Sequence, residues 1–355
     1  MKFGIFSLMT LRDHAAGVAG VMSDTRQMVQ AAEQAGFDIA WFAEHHFCNY
    51  SSCPSPLMMM SYAAGWTSKI KLGAGVLVLP LYNPLRLAQE IAFLDIQSEG
   101  RAVIGLGTGY QLFEFERYGI PIDDKVGLFL ESWDVIEQAL TRGEVEYQGK
   151  HIQVPHTTFA VSGVQKPMPP VYYTSTQPAL LERFKNTDAI PFLAASTLGS
   201  PVLYKMVDGL GDNWRQVGCD PAAKPLSIMQ YVHVTDSRSE ALEAGERARY
   251  VGRMANHLRH NTLPMDGHFI RDQAVPGEQT IEQYTANTVI GSAEEVAVRM
   301  IQDIQRLNPI HYACNFQFGC MPLARAKRSL ERFATEVVPL IERELGPIEN
   351  IGLRG

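Results

Sequence analysis

Apolar and polar positions along this chain follow two periods that take turns. Residues 2–8 form a β-rich apolar run. Residues 23–35 then switch to helical spacing, with Met28, Ala31, Ala32 and Ala35 on one stripe, Ser23 placed to cap it and Gly36 to stop it. The unit recurs: strands are predicted over 38–42, 71–80 and 102–106, and helices over 54–68 and 83–98. The 71–80 run is apolar on both faces, as a parallel strand covered on both sides must be. Further on, strands are predicted over 170–175, 190–195, 226–234 and 311–316. Helices are predicted over 126–140, from Pro178, and over 202–217, 240–257, 292–306 and 322–344.

Eight strands, each with a following helix, predict a single α/β domain over residues 1–355. The fold is a closed (β/α)8 TIM barrel, which needs about 250 residues and tolerates insertions. Two stretches read as insertions: 144–169, short and β-like, and 260–288, polar and without a period. The second is a lid-like loop ahead of the last helix–strand unit. The rival fold, a doubly wound sheet, wants a Gly-rich turn directly after the first strand. SLMTLRDHAAG stands there, whereas GLGTGY follows the fourth strand and lacks the dinucleotide spacing.

Composition narrows the partners. Apolar residues make up 46% and charged residues 19%, enough for a large core. The net charge of -7 is spread without a basic block, which argues against nucleic acid. The apolar runs fall short of the ~20 residues of a membrane span. Five scattered cysteines and an opening unlike a secretory signal fit a reduced, cytoplasmic protein.

In a barrel of this kind the carboxyl ends of the strands build the active site. Glu44, His45 and His46 follow the second strand, and two imidazoles beside a carboxylate can move protons near neutral pH. Alternation turns one histidine inward and the other outward. Structural histidines bonded under the rim are the plain alternative. Glu-His-His lacks the spacing of helical zinc ligands, and His257 and His260 have no third ligand nearby, so no metal is predicted. Ser175, Thr176 and Gln177 after the fifth strand suit a phosphate or serve as ordinary helix caps. Gly73 and Gly75 strip side chains from the third strand, which fits either a flat ligand or a bulge. Met9, Leu81, Tyr110, Phe113 and Phe318 are candidate walls of an apolar pocket.

With these residues placed, the chain resembles the bacterial luciferase family of flavin-dependent monooxygenases, its alkanal-oxidising α chains in particular. The likeness rests on MKFGIF, AGFDIAWFAEHHF, LGAGVLVLP, NPLRLAQEIAFLDIQSEGR and GLGTGY in order, then NTVIGSAEEVAVRMIQDI. It covers nearly the whole chain and is densest over residues 1–118. The resemblance implies a barrel that takes reduced FMN from a separate reductase. Oxygen adds at flavin C4a, and the resulting peroxide oxidises a small apolar substrate such as an aldehyde or ketone. It implies that His45, beside Glu44, is the catalytic acid/base, and that a non-proline cis peptide falls at Gly75–Val76. It places Gly75, Val76, Thr108, Tyr110, Ser175, Thr176 and Gln177 against the flavin.

There are departures from the family pattern. Thr108 stands where the α chains have a phosphate-gripping arginine, and Gly107 replaces their reactive-face cysteine, which leaves more room over the ring. The resemblance also implies a homo-oligomer, a dimer first, with Met58–Met60 and Ala63–Ala64 available for helix packing. Two other readings share the fold: deazaflavin-dependent hydride transfer, disfavoured by few rim cations beyond Arg12 and Lys125, and a non-catalytic flavin-binding or partner subunit, disfavoured by His45 and the long insertion.

Overall fold

The computed structural model describes residues 1–352. Its eight staves are β1 (Lys2–Ser7), β2 (Ile39–Phe42), β3 (Lys71–Ala74), β4 (Ala102–Gly107), β5 (Val171–Tyr173), β6 (Ile190–Ala194), β7 (Ser227–Val234) and β8 (His311–Asn315). Neighbours pair in parallel, and β7 joins both β6 and β8 while β8 joins β1, so the sheet closes on itself as the alternation predicts. Two short strands extend it: Leu77–Val78 beside β4 and Val289–Gly291 beside β7.

Helices pack outside. The first, α1 (Gly17–Gln34), begins six residues ahead of Ser23, which lies inside it and caps nothing. Next come α2 (Pro56–Ala64) and α3 (Pro84–Gln97), whose first turns are closed by Ser55 and Asn83 side chains. Met59, Met60 and Ala63 are buried against the barrel, and Met58 stays exposed. The third stave is not one run over 71–80. It stops at Ala74, passes through a cis Gly75–Val76 bond, resumes at Leu77–Val78 and ends in a 3-10 turn at Leu79–Leu81. A short helix, α4 (Leu112–Tyr118), follows β4 where sequence periodicity gives no element. The remaining helices are α5 (Lys125–Arg142), α6 (Pro178–Phe184), α7 (Ser200–Gln216), α8 (Arg238–His260), α9 (Ile281–Asn287), α10 (Ala293–Leu307), α11 (Leu323–Arg332) and α12 (Val338–Leu345). The expected closing helix is split by a π-turn at Phe333–Val337. Pro339 offers no N–H and crowds the carbonyl four residues back, so the ladder shifts there.

Both insertions have structure. Glu144–Gln148 and Gln153–Thr158 form an antiparallel hairpin, and its Val145 and Val154 bury against Val135 of α5. Residues 260–288 hold a small hairpin, Met265–Asp266 with Phe269–Ile270, and α9, which Thr280 and Gln283 cap reciprocally. None of this segment's residues lines the cavity at the barrel mouth. It is tied to the barrel's flank. Arg253 bonds Glu278 and Asp272, Arg12 bonds Asp272, and Asn49 receives the Ile270 N–H.

Small residues shape the barrel interior. A Cβ at Gly73 would fall 2.5 Å from the Trp41 ring, and one at Gly4 would fall 2.6 Å from the His311 ring. Gly73 therefore makes room for Trp41 rather than for a ligand. Trp41, Tyr172, Phe192 and His311 pack in one layer, edge to face except for the tilted Trp41–Phe192 pair.

Candidate active site at the barrel mouth

Every stave runs in the same direction, so the loops after the strands converge on one rim. They enclose a cavity of about 460 Å³, within the usual range of ligand sites, roughly 300–1,000 Å³. The first strand and the segments after the first two strands supply Phe6, Leu8, Glu44, His45 and Tyr50. One wall is Gly75, Val76, Gly107, Thr108, Gly109 and Tyr110, and another is Thr174, Ser175, Thr176 and Gln177.

The glycine wall presents backbone. A Cβ at Gly107 would meet the Val76 side chain at 2.4 Å, so the room gained there is shared with Val76 rather than left wholly to a substrate. A flat ring can lie close to such a surface. Beside it stands the hydroxyl and amide cluster after β5, where the Ser175 hydroxyl accepts the Gln177 N–H at 3.3 Å. Lys125 and Arg259 also line the cavity, with the Arg259 guanidinium 5.9 Å from the Tyr110 ring centroid. Arg12, expected at the rim, instead bonds Glu246 and Asp272. Glycine wall, hydroxyls and cations together suit a planar group with an anionic tail.

His45 and His46 point opposite ways. His45 faces the cavity, and its Nδ1 lies 3.2 Å from Glu114 Oε1 and 2.9 Å from the Gln111 side-chain nitrogen. His46 turns to the outside, where Nε2 meets Glu44 Oε1 at 2.9 Å and Nδ1 meets the Tyr118 hydroxyl at 3.0 Å. Glu44 has two further partners: it accepts the Val78 N–H at 3.2 Å and the Tyr82 hydroxyl at 2.8 Å. A carboxylate with three donors is a clamp for its neighbours, not a free base, and burial keeps the Tyr82 hydroxyl protonated by raising its pKa. The carboxylate beside His45 is therefore Glu114, whose side chain is 1% exposed, and not the adjacent Glu44.

Three tyrosines complete the lining, Tyr50 and Tyr231 buried and Tyr110 41% exposed. Tyr50 stacks obliquely on His45 with ring centroids 4.8 Å apart, Tyr110 stands edge-on at 6.2 Å, and Tyr231 lines the cavity from β7. Burial raises Tyr50 and Tyr110 and pushes Tyr231 up to about 12, so all three are protonated donors at neutral pH. Apolar surface comes from Phe6, Leu8, Val78, Phe192, Met206 and Met229.

Four expected wall residues are elsewhere. Met9 has a left-handed backbone (φ 57) and is buried in the core, leaving Leu8 to line the cavity. Leu81 sits in the 3-10 turn and lines a depression outside the barrel. Phe113 lies beneath Arg117, 3.4 Å from its ring centroid, and Phe318 is buried behind Tyr231 at 5.2 Å. That outer depression, of about 790 Å³ between α2 and α3, is larger than the mouth cavity. It reaches Glu44 and His46 and is not lined by His45, which makes the mouth the candidate site.

Sequence reading missed Glu114, Gln111, Tyr50, Tyr231 and Arg259. The only local trace of the first two is their i, i+3 spacing just after GLGTGY.

Comparison with known proteins gives the family. Residues 1–308 match the model of the luciferase-like monooxygenases. An uncharacterized protein of Sinorhizobium fredii, y4vJ, is 31% identical over 98% of this chain and all of its own. The oxygenase component of the flavin-dependent trigonelline monooxygenase of Acinetobacter baylyi is 26% identical, over 96% of this chain and 95% of its own. Among solved structures, monooxygenase RslO1 of Streptomyces bottropensis superposes with a TM-score of 0.81 at 20% identity, covering 96% of this chain and 99% of its own. The FMN complex of the oxygenating constituent of Pseudomonas putida 3,6-diketocamphane monooxygenase gives 0.74 at 19% identity, covering 96% and 98%. Those two likenesses concern the fold. The family match, spanning most of the chain, is decisive: the chain belongs to the luciferase-like monooxygenase family and is a flavin-dependent oxidoreductase.

Proposed function

We propose that this chain is the oxygenase component of a two-component monooxygenase. It takes reduced FMN from a separate flavin reductase and, with O2, transfers one oxygen atom to a small organic substrate, the other leaving as water. The observation that carries the reading is the juxtaposition of His45 with the glycine wall and the hydroxyl cluster in one cavity. Gly75, Val76, Gly107 and Gly109 would lie against the flavin ring, and Thr108, Ser175, Thr176, Gln177 and Lys125 would receive the phosphate end. Bound reduced flavin supplies the electrons that activate oxygen. The protein's share is to hold the ring, exclude water and exchange a proton at His45. Glu44 acts through His46 and Val78 as a positioning residue.

The substrate is mostly apolar with one hydrogen-bond acceptor. Phe6, Leu8, Phe192, Met206 and Met229 cover its hydrocarbon, and the tyrosine hydroxyls meet a carbonyl oxygen. An aldehyde or ketone has this form.

Lys125 and Arg259 are the observation that favours a deazaflavin with a longer acidic tail. Anaerobic titration separates the two: saturable binding of photoreduced FMN supports the proposal, and binding of the reduced deazaflavin alone overturns it. We further propose a cytoplasmic homodimer. No helix among the described residues is long and apolar enough to cross a membrane. Met58, Tyr62, Phe93 and Ile96 are exposed together on α2 and α3. Sedimentation at monomer mass would contradict the dimer.

A further inference from the structure

The carboxylate that the cavity histidine uses lies 69 residues away in the chain, on α4. Glu114 Oε1 accepts the His46 N–H at 2.8 Å and stands 3.2 Å from His45 Nδ1. The Gln111 amide stands 2.9 Å from the same nitrogen and 3.2 Å from the Tyr110 hydroxyl. One ring nitrogen thus has two polar neighbours, and they want different things of it. A carboxylate only accepts, so it calls for a proton on Nδ1. An amide serves either way by turning its oxygen or its nitrogen to the ring. Charge settles the contest, because a hydrogen bond to an ionised acceptor is roughly twice as strong as one between neutral groups. The Glu114 side chain is 1% exposed, so leaving it without that donor is costly.

We infer that Glu114 is the positioning residue that holds the His45 proton on Nδ1 and leaves Nε2 open to the cavity. This rests on the role of His45 proposed above. Among the described residues no protein group engages Nε2, so the cavity face of the ring is free to take a proton and return it. When Nε2 is protonated, the imidazolium sits beside the Glu114 carboxylate and its charge is balanced. Gln111 and Tyr110 fit the same proton in both states, with the amide oxygen facing Nδ1–H and the hydroxyl donating to that oxygen. The logic is that of a carboxylate-oriented histidine in a hydrolase, where replacing the acid by its amide strands the wrong tautomer.

The test is nitrogen NMR of the full chain labelled with 15N-histidine, recorded at about pH 9, above the ordinary histidine range. Wild type should show a protonated, pyrrole-type Nδ1 and a pyridine-type Nε2 at His45. Glu114→Gln removes the charge while keeping the shape, and should swap the two. Glu114→Asp should restore the wild-type pattern in part. Glu44→Gln should move the His46 signals and leave those of His45. A wild-type His45 protonated at Nε2, or an unchanged tautomer in Glu114→Gln, would overturn the inference. In the presence of reduced FMN and oxygen, Glu114→Gln should oxidise flavin as His45→Ala does. If the tautomers swap but neither substitution alters flavin oxidation, this inference stands and the monooxygenase reading falls.

Discussion

Two histidines at opposite ends of the barrel have different company. His45, at the mouth, has a buried carboxylate on Nδ1, a tyrosine against its face and an open cavity at Nε2. His311, at the start of β8, is boxed by Trp41, Tyr172 and Phe192. Its Nδ1 meets the Ser227 hydroxyl at 3.2 Å, and its buried Nε2 has no partner among the described residues. The mouth surrounds its histidine with groups that can follow a proton. The floor surrounds its histidine with groups that forbid one, and burial there pushes the pKa down to about 4 despite the Asp38 charge nearby. The end of a strand at which a histidine sits matters as much as the residue itself.

The floor should be the weaker end in acid, and this is the largest effect expected on stability. His311 titrates near 6.5 when unfolded and near 4 when folded, so between those values only the unfolded chain binds the proton. Its contribution is present above about pH 6.5 and is lost as pH falls toward 4, by about 3 kcal/mol in all. Lys2, Lys71 and the N-terminal amine face it with the same sign of effect. Urea unfolding across that range should show the slope, and His311→Asn should flatten it. A slope unchanged in the variant would remove His311 as its source.

The mouth depends on its anchoring. Asn49, 2% exposed, donates to the Leu11 carbonyl and the Tyr250 hydroxyl and accepts the Ile270 N–H. It joins the His45 loop to α8 and the 265–270 hairpin. Asn49→Ala leaves those buried groups unpaired, and a loss of about 1–3 kcal/mol is expected in thermal unfolding. Proteolysis should open first within residues 260–288. First cleavage elsewhere would show that Asn49 does not anchor the segment. A smaller effect is expected at the flavin wall. Thr108→Arg adds a charged donor at a cavity position and should tighten FMN binding, by up to about tenfold. Weaker binding would move the phosphate away from Thr108.

The staves were legible because each is covered on both faces and therefore reads as a short apolar run between turn signals. The order of strands and loops then brought Glu44 to His46, Thr108 to Tyr110 and Ser175 to Gln177 to one rim. What could not be read was direction and distance. Met9 and Phe318 lie close to strand ends, but a left-handed turn at Met9 and the ring of Tyr231 before Phe318 keep both out of the cavity. Glu114 pairs with His45 from a seven-residue helix, too short to show a period. Glu44, the carboxylate next in sequence, is instead held by His46, Val78 and Tyr82, because successive side chains on an extended segment alternate. The split of the third stave and the π-turn before Pro339 are likewise backbone events with little hydrophobic signature.

Rapid mixing of photoreduced FMN and the protein with oxygenated buffer, with His45→Ala and His311→Asn alongside, tests the central claim most directly. The account predicts a lasting transient ahead of the oxidised-flavin spectrum in wild type. The same transient should form in His311→Asn and be lost or short-lived in His45→Ala. Conversion straight to oxidised FMN at the rate of free flavin in all three proteins would contradict it.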